Sequence, residues 1–287
     1  MTIKTNYILF KTFYLGDDYY GSQRQPDLLT VEGAILKALH KKGYLSDAHY
    51  EDQIIHSAGR TDAGVHARAM TYGFFNQRED FHPMEVNTAL PDTILIWSAT
   101  KILVINEIPT IHPRFQALQR QYKFFVQDVN QKLNTSLVRR VVTQLTGTHD
   151  FRNFAKTHPN TNTIRTIDKI EFQRKQHIWE FDFQAKSFLW NQIRKMMRVI
   201  LEVGKSNWSF DVVHSLLDPN NTSYATKLEP LAPEGLILWN ILYPSGVKFQ
   251  NCEISVQKLN NLVSTWIQYH QVRELFLKQI QSSFKQT

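Results

Sequence analysis

Two stretches near the middle of the chain, TIRTIDKIEFQRK and HIWEFDFQAKSF, alternate apolar and polar residues, and a helix-period segment, FLWNQIRKMMRVILEVG, follows them directly. A period of two places one side of a strand on a core and the other toward water, so the pair predicts an antiparallel hairpin. The helix then carries a buried stripe of Leu189, Ile193, Met196, Met197, Ile200 and Leu201. The first half of the chain is built alike. YILFKTFYLG reads as a strand ending at the turn residues Gly16-Asp17-Asp18, and TVEGAILKALHKKG as a helix capped by Thr30 and stopped at Gly43. AMTYGFF is a second strand, a short helix ends before Pro91-Asp92, and Ile94 to Ile102 is a third strand. In EIPTIHPRFQA two prolines, Pro109 and Pro113, interrupt the periodicity; RQYKFFVQD then restarts it as a strand and TSLVRRVVTQLTG as a helix stopping at Gly147. Strands and helices recurring in two successive halves predict an α+β fold with largely antiparallel sheets. The expected boundaries are residues 1–110, 111–247 and a helical tail, 248–287.

Charge supports the same division. Of the net +7, residues 111–205 hold +10, with 17 Lys and Arg against 7 Asp and Glu, and the rest of the chain sums to −3. A basic section interleaved with aromatics suits a phosphate backbone, and it equally suits an ordinary solvated face. The hydrophobic fraction of 42% is that of a globular protein. No apolar run is long enough to span a membrane, and MTIKTNYILFKTFYLG has charges where a signal peptide needs an apolar segment, so the expected location is cytoplasmic. The single cysteine, Cys252, has no internal disulfide partner. The tail is spaced for one helical face at Leu259, Leu262, Val263, Trp266 and Ile267; capping the core, contacting a partner subunit and lying on RNA are all open to it.

Chemistry concentrates in SAGRTDAGVHA, where Arg60, Thr61, Asp62 and His66 are surrounded by Gly and Ala that let backbone approach closely. A plain turn does not need that set, although Asp beside Gly and Ala is a common turn formula. On the later helix Arg194 sits at the margin of the apolar stripe, and an arginine held there needs an anion or a path to solvent. Asp62 is the candidate anion. Burial raises a carboxylate's pKa and a neighbouring arginine lowers it, so such a pair can keep an aspartate ionised in a closed pocket. His66 with His56 and Asp62 does not complete a metal-ligand set, and no metal or other cofactor is expected.

Seven blocks in chain order resemble the tRNA pseudouridine synthase A (TruA) family: GDDYYGSQRQPDLLTVEGAILKAL, GRTDAGVHA, VNTALPDTILI, HPRFQALQRQYKFFV, LTGTHDFRNFAK, SFLWNQIRKMM with EVG, and APEGLILWNILYP. The resemblance spans residues 7 to about 244, with Asp17-Asp18 where the family usually has Asp-Gly, and no histidine before Arg194. It implies two similar subdomains with sheets flanked by helices and a cleft between them. It also implies isomerisation of uridine to pseudouridine in the anticodon stem-loop of tRNA, by a homodimer whose basic cleft spans both subunits.

By the same resemblance Asp62 is the catalytic carboxylate, Arg194 its charge partner, and Tyr122 the aromatic that stacks on the detached uracil and assists proton removal from C5. Leu236 lines the pocket, Arg60 contacts the flipped nucleotide, and Thr61 and His66 shape the loop. Arg114, Arg120, Lys123 and Arg152, with Lys156 and Arg165, are expected along the RNA backbone. Two rival readings are a non-catalytic RNA-binding protein of the same fold and an Asp62-dependent phosphohydrolase, which would need a metal-binding carboxylate set.

Overall fold

The computed structural model describes residues 6–45, 55–157, 161–224 and 227–284. The first half runs β1 (Asn6–Tyr14), α1 (Val31–Lys41), β2 (His56–Ser57), β3 (His66–Asn76), α2 (Pro83–Asn87), β4 (Ile94–Ile102), β5 (Val104–Ile105) and β6 (Ile108–Pro109). The second runs β7 (Gln119–Gln127), α3 (Thr135–Leu145), β8 (Gly147–Asp150), β9 (Ile164–Lys175), β10 (Ile178–Ala185), α4 (Gln192–Gly204), α5 (Asp211–Leu217) and β11 (Leu236–Leu242). The two-residue β12 (Gln250–Asn251) and the long α6 (Glu253–Ser283) close the chain. The fold is α+β, as the alternation predicts.

Both halves share one ten-stranded sheet, ordered β12-β4-β1-β3-β11-β7-β10-β9-β8, with β2 added beside β3. Every pairing among the described residues is antiparallel except β3 with β11, which meet in parallel through His66–Ile237 and Ala67–Leu238. The predicted hairpin is β9–β10, in register from Ile178 opposite Lys175. Residues directly opposite each other across a sheet point to the same side. One row therefore runs Tyr14, Ala67, Leu238, Tyr122, Phe183, Ile170 through both halves of the molecule. On that side α1 and α2 pack over one apolar core with Phe10, Tyr14 and Tyr72, and α3, α4 and α5 pack over another with Trp179, Phe181 and Phe183. Tyr122 touches both cores.

Local signals account for most boundaries. The Thr30 side chain accepts the Gly33 N–H at 3.3 Å and opens α1, while Gly43, at φ +69°, follows its end. Asn134, ahead of the expected start, caps α3 by accepting from the Ser136 and Leu137 N–H groups. The helix read from FLWNQ starts later than its periodicity suggests. Asn191 adopts φ +65°, which a right-handed helix does not contain, so Leu189 and Trp190 precede α4 and do not belong to its stripe. The short α5 carried no signal strong enough to be picked out. On the other side of the sheet α6 packs its first turns at the β4 edge, with Trp266 stacked on Phe13 at 6.0 Å, whereas its later turns leave Leu275, Phe276 and Phe284 exposed. No helix of the described residues is long and apolar enough to cross a membrane.

Tyr7, Tyr14 and Tyr72 are fully buried, and loss of solvent pushes all three phenols above the ordinary tyrosine range. A group whose pKa is higher folded than unfolded contributes stability that is complete below its unfolded pKa, about 10, and lost above it. The urea midpoint should accordingly hold from about pH 8 to 9.5 and fall steeply beyond about 10. A midpoint unchanged at about pH 11 would contradict the burial of these hydroxyls.

Candidate active site

The SAGRTDAGVHA segment runs from the end of β2 into the first residues of β3, so the β3–β11 contact sets its loop between the two cores. Its shape is held by the opening block of the chain. Thr61, 7% exposed, hydrogen-bonds the Tyr14 hydroxyl at 2.8 Å, its N–H donates to Ser22 Oγ at 2.8 Å, and the Ser22 N–H donates to the Thr61 carbonyl at 3.0 Å. The Gly16 N–H donates to His66 Nδ1 at 3.0 Å, so the ring proton sits on Nε2 and faces the Glu234 carbonyl at 3.2 Å. Both ring nitrogens thus contact backbone groups around the loop. A Cβ at Gly16 would stand 2.2 Å from the Val65 carbonyl oxygen, and Gly64 has φ +77° with its Cβ position 2.6 Å from the Pro233 ring. The loop approaches the opening block at Gly16 and Pro233 at Gly64 too closely for a side chain at either point.

Held this way, Asp62 meets a residue 132 positions away. Arg194 Nη1 donates to Asp62 Oδ2 at 3.0 Å and to Asn191 Oδ1 at 3.1 Å, while its Nε donates to the Leu231 carbonyl at 2.6 Å. The Leu231 N–H in turn donates to the Arg194 carbonyl at 3.2 Å. The pair is partly enclosed, with the Arg194 side chain 14% and the Asp62 side chain 25% exposed. The left-handed turn at Asn191 that delays α4 is what aims its side-chain oxygen back at Arg194.

Tyr122 sits at the centre of the cross-sheet row, directly opposite Leu238, with its ring edge against Phe188 at 5.3 Å. Burial pushes its phenol up to about 12, against a downward pull from Arg120 and with an upward push from Asp62. At neutral pH the group is therefore an uncharged ring and a protonated hydroxyl. Leu236, 6% exposed, stands on the same side opposite Phe124. Arg60 is exposed on the loop, and Arg114 and Arg152 are exposed in the basic half, Arg152 being drawn to Asp150 at 2.8 Å.

Two expected RNA contacts are placed elsewhere. Arg120 is 8% exposed and gives its guanidinium to three backbone carbonyls, those of Lys186, Ala58 (2.6 Å) and Arg114 (3.0 Å). It braces the wall and is closed to phosphate. Lys123 follows Tyr122 in β7 and so points to the opposite side of the sheet, where it is ion-paired with Glu180 and Asp182 and lies over the Trp239 ring at 5.0 Å. Charge composition counts both as basic, but alternation along β7 turns Lys123 away, and Arg120, on the same side as Tyr122, is occupied by backbone carbonyls. Lys156, exposed over the Trp190 ring at 4.5 Å, remains at the surface, whereas Arg165 spends its Nη1 on the Asn162 and Ile164 carbonyls. Ser22, Asn191 and Phe188 carry no local sequence signal for their roles in supporting Asp62, Arg194 and Tyr122.

The close approach at Gly16 gives a direct test. Gly16→Ala should destabilise the protein by about 1–3 kcal/mol, because the methyl group meets backbone that is itself hydrogen-bonded. A urea midpoint equal to that of the wild type would mean that the loop moves aside freely.

With this geometry in hand, comparison with known proteins is specific. Residues 141–244 match a family model described as tRNA pseudouridine synthase. The tRNA pseudouridine synthase A of Archaeoglobus fulgidus is 32% identical over 91% of this chain and 92% of its own length. That of Thermococcus kodakarensis is 34% identical over 88% and 90%, and that of Methanobrevibacter smithii 33% identical over 94% and 96%. With about nine-tenths of the chain covered in each case, the matches take in both halves of the sheet. This chain belongs to the tRNA pseudouridine synthase A family.

Proposed function

We propose that the chain isomerises uridine to pseudouridine in the anticodon stem-loop of tRNA, with Asp62 as the essential carboxylate. The observation that carries the reading is the Asp62–Arg194 ion pair at 3.0 Å, beside the buried face of Tyr122 and between two apolar cores. The reaction breaks the bond from C1′ to N1 of the base, turns the uracil, and joins C1′ to C5. C5 loses a proton and N1 gains one, so no electrons or atoms are exchanged with a second substrate. A uridine in a stem-loop must first leave its stack, at a cost of a few kcal/mol, and enter a pocket that holds it.

In this reading Asp62 initiates cleavage, either by adding to the sugar or base or by removing the C2′ proton. Both routes need a carboxylate oxygen free to reach the nucleotide, and Arg194 engages Oδ2, leaving Oδ1 for the substrate. Tyr122 offers its ring to the detached base and its neutral hydroxyl as a relay for the C5 proton, while Leu236 and Leu238 line the apolar wall. Arg60 reaches the flipped nucleotide from the loop, and Arg114, Arg152 and Lys156 track phosphates of the RNA backbone. The enzyme acts in the cytoplasm as a homodimer, with the basic halves of two subunits forming one tRNA surface.

Asp62→Ala should abolish tritium release from tRNA carrying 5-tritiated uridine while tRNA affinity stays within a few-fold; turnover by this variant would sink the assignment. Arg194→Leu should lose far more activity than thermal stability, since it removes the partner of Asp62 but keeps an apolar-compatible side chain on α4. A large fall in melting temperature with activity retained would make Arg194 merely structural.

A further inference from the structure

The turn between β6 and β7 presents an aromatic ring to solvent beside the catalytic loop. Phe115 is 71% exposed, and exposed Arg114 precedes it. The ring is not loose. It lies on His112 at 4.5 Å and 32°, His112 lies on His56 at 4.6 Å, and His56 neighbours fully buried Tyr7 at 6.0 Å, with the Tyr7 hydroxyl 2.8 Å from His56 Nδ1. Four rings therefore form a ladder from the core to the surface. Burial lowers the pKa of both imidazoles, which keeps the ladder uncharged near neutral pH.

The backbone of the turn is fixed as firmly. The His112 N–H donates to Gln116 Oε1 at 2.8 Å, the Arg114 N–H donates to His112 Nδ1 at 3.1 Å, and the Tyr243 hydroxyl donates to the Pro113 carbonyl at 2.7 Å. Arg120 then ties the turn to the active site, because one of its nitrogens, Nη2, donates both to the Arg114 carbonyl and to the Ala58 carbonyl. Ala58 is the fourth residue before Asp62. A phenyl ring held rigidly in water, with a cation next to it and a buried strut to the catalytic loop, has the chemistry of a stacking platform for nucleic acid.

We infer that Phe115 stacks an unpaired nucleobase adjoining the uridine delivered to Asp62, and that Arg114 takes a phosphate of that same single-stranded segment. The inference rests on the tRNA reading above and adds a site to it: the pocket takes one base, and the platform holds its neighbour and keeps the strand splayed. Stacking is indifferent to base identity because every base has a π-face, so this site binds without reading sequence.

The test is binding of unmodified tRNA transcript to the full-length chain across a salt series, with tritium release measured on the same variants. Phe115→Ala should weaken binding on the order of tenfold with the log-log salt slope unchanged, since no counterion is involved. Arg114→Ala should lower the slope by about one. Phe115→Trp should restore affinity, and turnover at saturating tRNA should remain within a few-fold of wild type in both Phe115 variants. Unchanged affinity of Phe115→Ala, in a preparation whose wild type binds and isomerises tRNA, would overturn the platform and leave the proposed function standing. A fall in melting temperature or a change in oligomeric mass for Phe115→Ala would also overturn it, by showing that the ring serves protein contacts. Failure of the wild type to bind or isomerise tRNA would instead overturn the reading on which the inference rests.

Discussion

The two parallel pairs His66–Ile237 and Ala67–Leu238 join what would otherwise be two separate sheets, and the site depends on that short seam. Because β3 begins there, the loop that precedes it is delivered to the boundary between the cores. Because β11 also pairs antiparallel with β7, the same register sets Tyr122 beside Leu238 and within reach of both halves. A shift of one residue along β7 would turn Tyr122 to the other side and bring Lys123 into the cleft, since neighbouring strand residues face opposite ways. Strand register thus decides which residues face the Asp62–Arg194 pair.

Around the seam the structure separates tasks that composition merges. Five cationic residues of the basic half illustrate this. Arg194 pairs with Asp62, Arg120 holds backbone carbonyls, Lys123 satisfies two carboxylates on the far side, and Arg114 and Arg152 remain in solvent. A buried guanidinium with several carbonyl partners has its donors satisfied without a counter-ion, and so can brace a wall as firmly as a salt bridge would. Rigidity matters in any site whose chemistry depends on fixed groups, because displacement of one of them misplaces the reacting atoms.

Local and distant information divide sharply along the chain. The cap at Thr30, the stop at Gly43, the β9–β10 hairpin and the antiparallel character of the sheet were all legible, because each depends on residues a few positions apart. The meeting of Asp62 and Arg194 was legible only in part: amphipathic spacing puts an arginine at an apolar margin, and the glycine-flanked loop supplies the unusual carboxylate. The late start of α4 was not, since nothing in FLWNQ distinguishes a helical asparagine from a left-handed one that turns its side chain back to Arg194.

By itself, then, the sequence determined the α+β class and the family to which the motif order points, and its motifs made Asp62, Arg194 and Tyr122 the candidates. Periodicity, capping and motif spacing are properties of neighbours along the chain, and a sequence states them directly. Only the tertiary structure decided that Arg120 faces inward and Lys123 outward, that Ser22 and Tyr14 hold Thr61, and that Phe115 crowns a ladder of rings. Those outcomes depend on strand register and on contacts between residues tens of positions apart, where two basic residues of one strand, Arg120 and Lys123, acquire opposite surroundings.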